Sequence, residues 1–261
     1  MKRKSMLLVA LVLCAVQAQA ADSLNCRLVG RCYVSSPRLW GCAVAGDYAY
    51  VGHDTSGVLV FDVSDPTNPA IVAVCRTARC AQHLVVDGNY LYVADGNDMC
   101  VVDVSNPTSP AIVGECSSGG WALGITKVGN YAYVANYSLA SGLVVINVSD
   151  PANPVRVGSC NTPWYASGVS VSGDYAYVAI QDSGMSVIDV SDPTDPFQVA
   201  RYDSSGSTKF ICERTSVSGH YAYLAEKSEV VVFDITDPPN LQKVGLGVPP
   251  VRWTPVVMGV A

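Results

Sequence analysis

Apolar and polar residues alternate along this chain in short runs, and the runs come in five copies. One half of each copy reads Gly-Asp/Asn/His-Tyr-Ala/Leu-Tyr-Val/Leu, at Gly46 to Val51, Gly88 to Val93, Gly129 to Val134, Gly173 to Val178 and Gly219 to Leu224. The other half reads roughly Asp-Val-Ser-Asp-Pro-x-x-Pro, at Asp62 to Pro69, Asp103 to Pro110, Asn147 to Pro154 and Asp189 to Pro196, with a worn copy from Asp234. The turn glycines advance by 42, 41, 44 and 46 residues. Strand-like units repeating at a period in the low forties predict propeller blades.

Each unit resolves into four strands. In the fourth unit they are Gly168 to Val171, Tyr175 to Ala179, Met185 to Val190 and Phe197 to Tyr202. The turn Ser172-Gly173-Asp174 joins the first two, because Gly and Asp tolerate the positive φ of a tight hairpin. Strand alternation sends Tyr175 and Tyr177 to one side and Ala176 and Val178 to the other. Large side chains next to small ones suit blades stacked face to face. The Asp-Pro-x-x-Pro segment stops the third strand, since proline removes a donor and fixes φ. Beyond the first residues no segment keeps apolar residues at helical spacing for three turns. The expected class is all-β.

These motifs resemble the LVIVD repeat family of β-propellers. Gly-Asp-Tyr-Ala-Tyr-Val-Ala at Gly173 to Ala179, followed by Gly184 to Pro193, carries the likeness best. The resemblance runs from Leu28 to Leu246 and implies a β-propeller of four-stranded blades in an exported bacterial or archaeal protein. It implies no catalytic residues. Five complete repeats are expected, at 34–75, 76–116, 117–160, 161–202 and 203–246, within one domain spanning 21–261. Leu28 to Cys32 reads as a fourth strand with no blade before it, and Val251 to Val260 as a first strand with nothing after it. These partial units, at 24–33 and 248–261, leave an incomplete six- or seven-bladed ring as the alternative. A ring that fails to close exposes an apolar face.

Composition adds the compartment. Lys2, Arg3 and Lys4 precede an apolar run from Met6 to Val16 and then Ala18-Gln19-Ala20. That order describes a secretory signal peptide over residues 1–20, too short an apolar run to span a bilayer. The expected location is extracytoplasmic: periplasm, cell surface or secreted. No later segment has the length of a membrane anchor. The chain carries a net charge of −6, which becomes −9 once the three leader cations are gone. Such a surface argues against nucleic acid and anionic membranes as partners.

Nine cysteines follow the leader, and outside the cytoplasm they are able to pair. Cys32, Cys75, Cys116 and Cys160 share one fourth-strand position. Local pairs are the expected ones: Cys100 with Cys116 across the Pro107–Pro110 hairpin, and Cys75 with Cys80 across one loop. The competing expectation is that these cysteines fill small half-buried sites as weak hydrophobes.

Candidate chemistry falls on one face. In the usual propeller winding, second-to-third and fourth-to-first loops share an end, and here they vary most between units. Variable loops on a repeated scaffold are where binding resides. Trp40, Trp121, Trp164 and Phe210, with Tyr137, fall near that end and predict an aromatic rim suited to a peptide, a glycan or an apolar ligand. The competing expectation is that each tryptophan caps a seam between blades. His53, Asp54 and Asp182 sit in the neighbouring loops.

Five residues before each turn glycine stand Gly41, His83, Gly124, Gly168 and Arg214. His83 and Arg214, with Glu213, would form a polar site in the channel, with His83 titrating near neutral pH; the bland counterpart is a satisfied polar filling. Asp95 and Asp98 are weak calcium candidates lacking the EF-hand spacing, and no other cofactor is expected. There is no Gly-x-Ser-x-Gly elbow and no zinc motif. The repeated Ser64, Ser105, Ser149 and Ser191, and the repeated Asp62, Asp103, Asp189 and Asp234, belong to turns; Asn147 replaces the carboxylate in one unit, so hydrogen bonding and not acid–base work is their role. The leading expectation is an exported scaffold binding a protein, peptide or glycan partner. Its rivals are a secreted hydrolase or lyase using His83, Arg214, Glu213, Asp54 and Asp182, and a structural surface component that self-associates through its chain ends.

Overall fold

A computed structural model describes residues 29–34, 38–181, 183–204, 212–226 and 229–247, the side chains of residues 212 and 213 excepted. The predicted leader and the segment 248–261 lie outside the described residues. Blade 1 comprises β1 (Leu39–Ala45), β2 (Tyr48–His53), β3 (Gly57–Asp62) and β4 (Ala70–Cys75), hydrogen-bonded in that order. Blade 4 repeats the order with β11 (Ala166–Ser172), β12 (Tyr175–Ile180), β13 (Gly184–Asp189) and β14 (Phe197–Tyr202), and blade 5 with β15 (Cys212–Ser218), β16 (Tyr221–Glu226), β17 (Glu229–Asp234) and β18 (Gln242–Gly247).

Blades 2 and 3 share one six-stranded sheet, built from β5 (Ala81–Asp87), β6 (Tyr90–Asp103), β7 (Ala111–Val128), β8 (Tyr131–Tyr137), β9 (Leu143–Asn147) and β10 (Val155–Cys160). Two of its strands are double length. The first half of β6 pairs with β5 and the second half with the first half of β7, whose own second half pairs with β8. A single bridge, Gly96 to Ala122, joins the halves. Four sheets therefore hold five blades.

One backbone hydrogen bond marks every blade. The N–H of Val63, Val104, Val148, Val190 and Ile235 donates to the carbonyl of Asp47, Asn89, Asn130, Asp174 and His220 at 2.8, 2.8, 2.8, 2.8 and 2.9 Å. The glycine preceding each acceptor, Gly46, Gly88, Gly129, Gly173 and Gly219, holds φ between 56° and 58°. Nothing lies within 4 Å of an added Cβ at these turns, so conformation alone demands glycine.

The Asp-Val-Ser segments are turn devices. Asp62, Asp189 and Asp234 each accept a backbone N–H and a hydroxyl from the residue two further on, at 2.6 to 2.9 Å. Asn147 accepts the Ser149 N–H at 2.9 Å, which explains why an amide serves there. Hydrogen bonds from the Ser64 side chain and backbone hold the Asp62 carboxyl below its ordinary range.

Apolar seams hold neighbouring blades together. Tyr92 of blade 2 packs in one cluster with Ala132 of blade 3, Tyr133 with Ala176 of blade 4, and Tyr177 with Ala222 of blade 5. Tyr50 of blade 1 meets Leu91 of blade 2 in the same way. The first strands of all five blades border one central cavity of about 290 Å³.

The expected Cys100–Cys116 pair is corrected. Met99 pairs with Cys116 and Cys100 with Glu115, so the two thiols lie on opposite faces of the sheet. A bulge between Val101 and Val102 shifts the register by one residue and flips the face. Cys100 enters the blade 1–blade 2 seam beside Cys75, while Cys116 turns to the other side. Every described cysteine, Cys75 and Cys80 included, is a free thiol.

Gly173→Ala should cost about 1–2 kcal/mol, because it forces an L-residue into left-handed space. Urea unfolding monitored by circular dichroism measures the loss, and an unchanged midpoint would refute the turn assignment.

Candidate functional site

The five equivalent channel positions line one cavity or flank it, and the structure shows why Gly41 and Gly124 are small. Arg214 reaches across the channel from blade 5. Its Nη1 donates to the Ser167 carbonyl of blade 4 at 2.9 Å and to the Leu123 carbonyl of blade 3 at 3.1 Å. A Cβ on Gly124 would stand 3.1 Å from that nitrogen and 2.9 Å from the Ser167 carbonyl oxygen. His83 reaches from blade 2, placing Nδ1 3.1 Å from the Ile125 carbonyl oxygen of blade 3. A Cβ on Gly41 would meet its Cδ2 at 2.8 Å. The two large polar side chains occupy the space that glycines leave and tie separate blades together.

The expectation that His83 titrates near neutral pH is corrected. Burial lowers its pKa to about 3, the Arg214 charge adds to the effect, and the hydrogen bond to Ile125 opposes it. The imidazole is neutral at physiological pH and braces the channel. Glu213 belongs to the residues whose side chains lie outside the description, and Asp182 lies outside it altogether.

Loops from the fourth to the first strand and from the second to the third do share one end. Trp40 Nε1 donates to Asp54 Oδ1 at 3.4 Å, joining the start of β1 to the loop after β2. Thr77 Oγ1 donates to Asp95 Oδ1 at 2.7 Å and the Arg79 N–H to Asp95 Oδ2 at 3.0 Å. Asp95 is buried, and burial raises its pKa against those hydrogen bonds. Both its oxygens are committed to loop structure. Asp98 instead lies 4.0 Å from Arg79 Nε. Among the described residues no group of three His, Cys, Asp or Glu side chains is placed to hold a metal ion.

His53 also turns inward. It is buried, and its Nδ1 accepts the N–H of Thr55 at 3.2 Å and of Ser56 at 3.0 Å. The ring caps the β2–β3 loop and does not present itself to a ligand, which corrects its place among the binding candidates.

The aromatic rim is concentrated on blades 3 and 4. Trp121 and Tyr137 are cross-strand partners, and Tyr137 stacks on Tyr165 with ring centroids 3.9 Å apart and planes 8° apart. Trp164 meets Tyr165 edge-on at 5.6 Å. Trp121 stays 37% exposed, Tyr137 41%, Trp164 41% and the neighbouring Leu139 50%. The Tyr137–Tyr165 stack, and not a tryptophan, joins the loops of blades 3 and 4. Both tryptophans still present apolar surface. Trp40 lies apart, on blade 1, and Phe210 lies outside the described residues.

Sequence reasoning missed Tyr165, although it follows Trp164 directly in the same variable loop. It also missed the support beneath the rim. The Asn136 side-chain amide donates to the Ser118 carbonyl at 2.8 Å and its backbone N–H to the Gly142 carbonyl at 2.8 Å. Asn136 and Ser118 are fully buried. They fix the loops from which Trp121 and Tyr137 project.

A family model described as the LVIVD repeat matches residues 39–77, 78–118, 119–162, 164–204 and 212–245. The chain belongs to the LVIVD repeat family. Among solved structures, a protein from Lactobacillus plantarum aligns with a TM-score of 0.71 at 14% identity, over 82% of this chain and 72% of that one. The computationally designed Ika8 protein aligns with a TM-score of 0.61 at 8% identity, over 79% of this chain and 61% of the designed one. The LVIVD chain thus spans under two thirds of the designed protein's length. Both likenesses are likenesses of fold. No curated protein matches the chain.

Burial of His83 as the neutral ring makes stability depend on pH. Its folded pKa lies below the unfolded value of 6.5, so the unfolded chain takes up the proton first on acidification. Stability should fall as pH drops from about 6.5, by roughly 2 kcal/mol at about pH 4.5. The exposed turn carboxylates act in the same direction but only at lower pH, and Asp95 acts oppositely. Thermal unfolding of wild type and His83→Gln across about pH 7 to about pH 4.5 isolates the histidine. The variant should show a flatter profile, and parallel profiles would refute a neutral buried ring.

Proposed function

We propose that this LVIVD propeller is an extracytoplasmic scaffold that holds a protein, peptide or glycan partner on the rim of blades 3 and 4. The observation that carries this reading is the exposed cluster of Trp121, Tyr137, Trp164 and Leu139 on the variable-loop face. Contiguous exposed aromatics rimmed by polar loops are the surface type that partners desolvate. The buried Ser118–Asn136 support beneath them keeps the rim preorganised, which lowers the ordering cost of binding. The extracytoplasmic part of the reading rests on the leader-like residues 1–20. Among the described residues no helix is long and apolar enough to cross a membrane.

The hydrolase or lyase reading draws no support from the channel. His83 Nδ1 and Arg214 Nη1 are both engaged by backbone groups of neighbouring blades. Asp54 accepts a tryptophan N–H.

The test is a pull-down from envelope and culture medium with residues 21–261 as bait. A second bait carries Trp121→Ala and Trp164→Ala and is shown by circular dichroism to be folded. A glycan array run with the same two proteins separates sugar from peptide partners. Loss of two hot-spot aromatics should weaken capture by ~10-fold or more. Equal capture by both baits would overturn the rim assignment.

A further inference from the structure

The three loops that carry the aromatic rim contain no charged residue. They read Ser117-Ser118-Gly119-Gly120-Trp121, Ser138-Leu139-Ala140-Ser141-Gly142 and Asn161-Thr162-Pro163-Trp164-Tyr165. The corresponding segments of blades 1 and 2 carry Asp54, Arg76, Arg79 and Asp98, and blade 5 carries Glu226 at the end of β16. On a chain with a net charge of −6, a stretch of loop surface without charge discriminates among partners. Arg156 approaches this side from β10, where its Nη1 donates to the Ser118 carbonyl at 3.4 Å and stands 2.6 Å from a Cβ added on Gly119.

Four rings form one continuous line across these loops. Trp121 pairs across strands with Tyr137, Tyr137 stacks on Tyr165, and Tyr165 meets Trp164. The buried Thr162 fixes the far end: its Oγ1 donates to the Trp164 carbonyl at 2.7 Å. A Cβ on Gly142 would stand 1.8 Å from that Oγ1, so a side chain there would push the two loops apart. Polar groups border the line. A Cβ on Gly120 would meet the Ser138 Cβ at 2.8 Å, which places Ser138 beside Trp121. Ser138 Oγ accepts the Ala140 N–H at 3.3 Å and keeps its own proton to donate. Asn161 is exposed, and neither its side-chain amide nor the Tyr137 hydroxyl hydrogen-bonds to a described residue.

Aromatic faces edged by hydroxyl and amide groups, with no formal charge, complement a neutral sugar. A pyranose presents C–H bonds on one face, which the negative face of an aromatic ring attracts, and hydroxyls around its edge. A protein surface brings charged side chains, and a charge desolvated against these loops would meet no counter-charge in them. An anionic glycan meets the same obstacle, with the net negative charge of the chain added to it. We propose that the rim binds an uncharged oligosaccharide, with sugar faces on Trp121, Tyr137 and Trp164 and sugar hydroxyls on Ser138, Asn161 and the Tyr137 hydroxyl. This glycan assignment rests on the rim being the partner surface proposed above.

The protein purified after export is titrated calorimetrically with uncharged hexasaccharides of β-glucan, α-glucan, mannan, xylan and N-acetylglucosamine type. At least one should bind saturably. Trp121→Ala and Trp164→Ala should each weaken that binding about tenfold. Trp121→Phe keeps a ring and should weaken it less, which separates loss of the stacking face from loss of fold. Affinity should change by less than about twofold between about 0.05 M and about 0.5 M sodium chloride, because no ion pair is there to be screened. Hexasaccharides bearing carboxylate or sulfate groups should bind more weakly. Three results would each overturn the assignment: no binding of any uncharged hexasaccharide, tighter binding of the charged ones, or a several-fold loss of affinity in salt. A peptide captured by the wild type and lost from the double tryptophan variant, with no sugar bound, would refute the glycan chemistry and keep the rim as a partner surface. Equal capture by both proteins would remove the rim itself.

Discussion

Every seam in this propeller depends on a tyrosine of one blade seated against the facing strand of the next. The second strand offers Tyr-Ala-Tyr-Val, and alternation sends the aromatic pair to one face and the small pair to the other. Blade n then presents its tyrosines to the small face of blade n + 1, as Tyr133 does to Ala176 and Tyr177 to Ala222. Burying such a ring contributes about 2–3 kcal/mol, and the fit comes from matching volumes across the seam. Burial also pushes the Tyr177 hydroxyl up to about 12, so this seam carries no phenolate charge at ordinary pH. A blade has no stability apart from its neighbours, as expected of repeat architectures.

That arrangement sets what the channel is able to hold. Wedge-shaped stacking brings the first strands close together, and five equivalent residues converge on one level. Five arginines or five glycines would not fill that level; one Arg, one His and three Gly do. The guanidinium reaches carbonyls on two other blades, and the imidazole reaches Ile125 on the same strand of blade 3 as Leu123. Each hydrogen bond satisfies a polar atom while tying two blades, and those of Arg214 join blades that share no sheet. A charged His83 beside Arg214 would oppose this packing, which is why the neutral ring is the one that fits.

The fold was legible because it is periodic. Turn glycines, Asp-Ser turns and Pro-x-x-Pro stops recur at equivalent places, so each unit corroborates the others. The channel level was legible for the same reason: counting back from five glycines aligned Gly41, His83, Gly124, Gly168 and Arg214. Features that break the period were not legible. The bulge at Val101–Val102 is silent in residue type, yet it decides which face Cys116 occupies. His53 reads as an exposed loop histidine until the β2–β3 turn is seen to fold its N–H groups onto Nδ1. The protonation of His83 depends on enclosure and on Arg214, 131 residues away along the chain. Aromatic side chains were placed at the right end of the molecule, but their convergence on one seam depends on Tyr165 stacking against Tyr137.

The rim and the facing sides of blades 1 and 5 sit at opposite extremes of the same packing rule. Blade 3 is the middle blade, with complete seams on both sides and strands continuous with blade 2. Its loops are further pinned by the buried Ser118–Asn136 pair. Binding residues are held most accurately where the supporting shell is itself locked, and blades 3 and 4 meet that condition. Among the described residues, no apolar cluster joins blades 1 and 5, whose facing sides keep half-buried valines, an exposed thiol and half-buried tyrosine surface. A repeat code that buries one face only against the next unit leaves two faces over wherever it stops. The tyrosine-on-alanine seam that makes the interior self-consistent thus also leaves less covered apolar surface on the facing sides of blades 1 and 5.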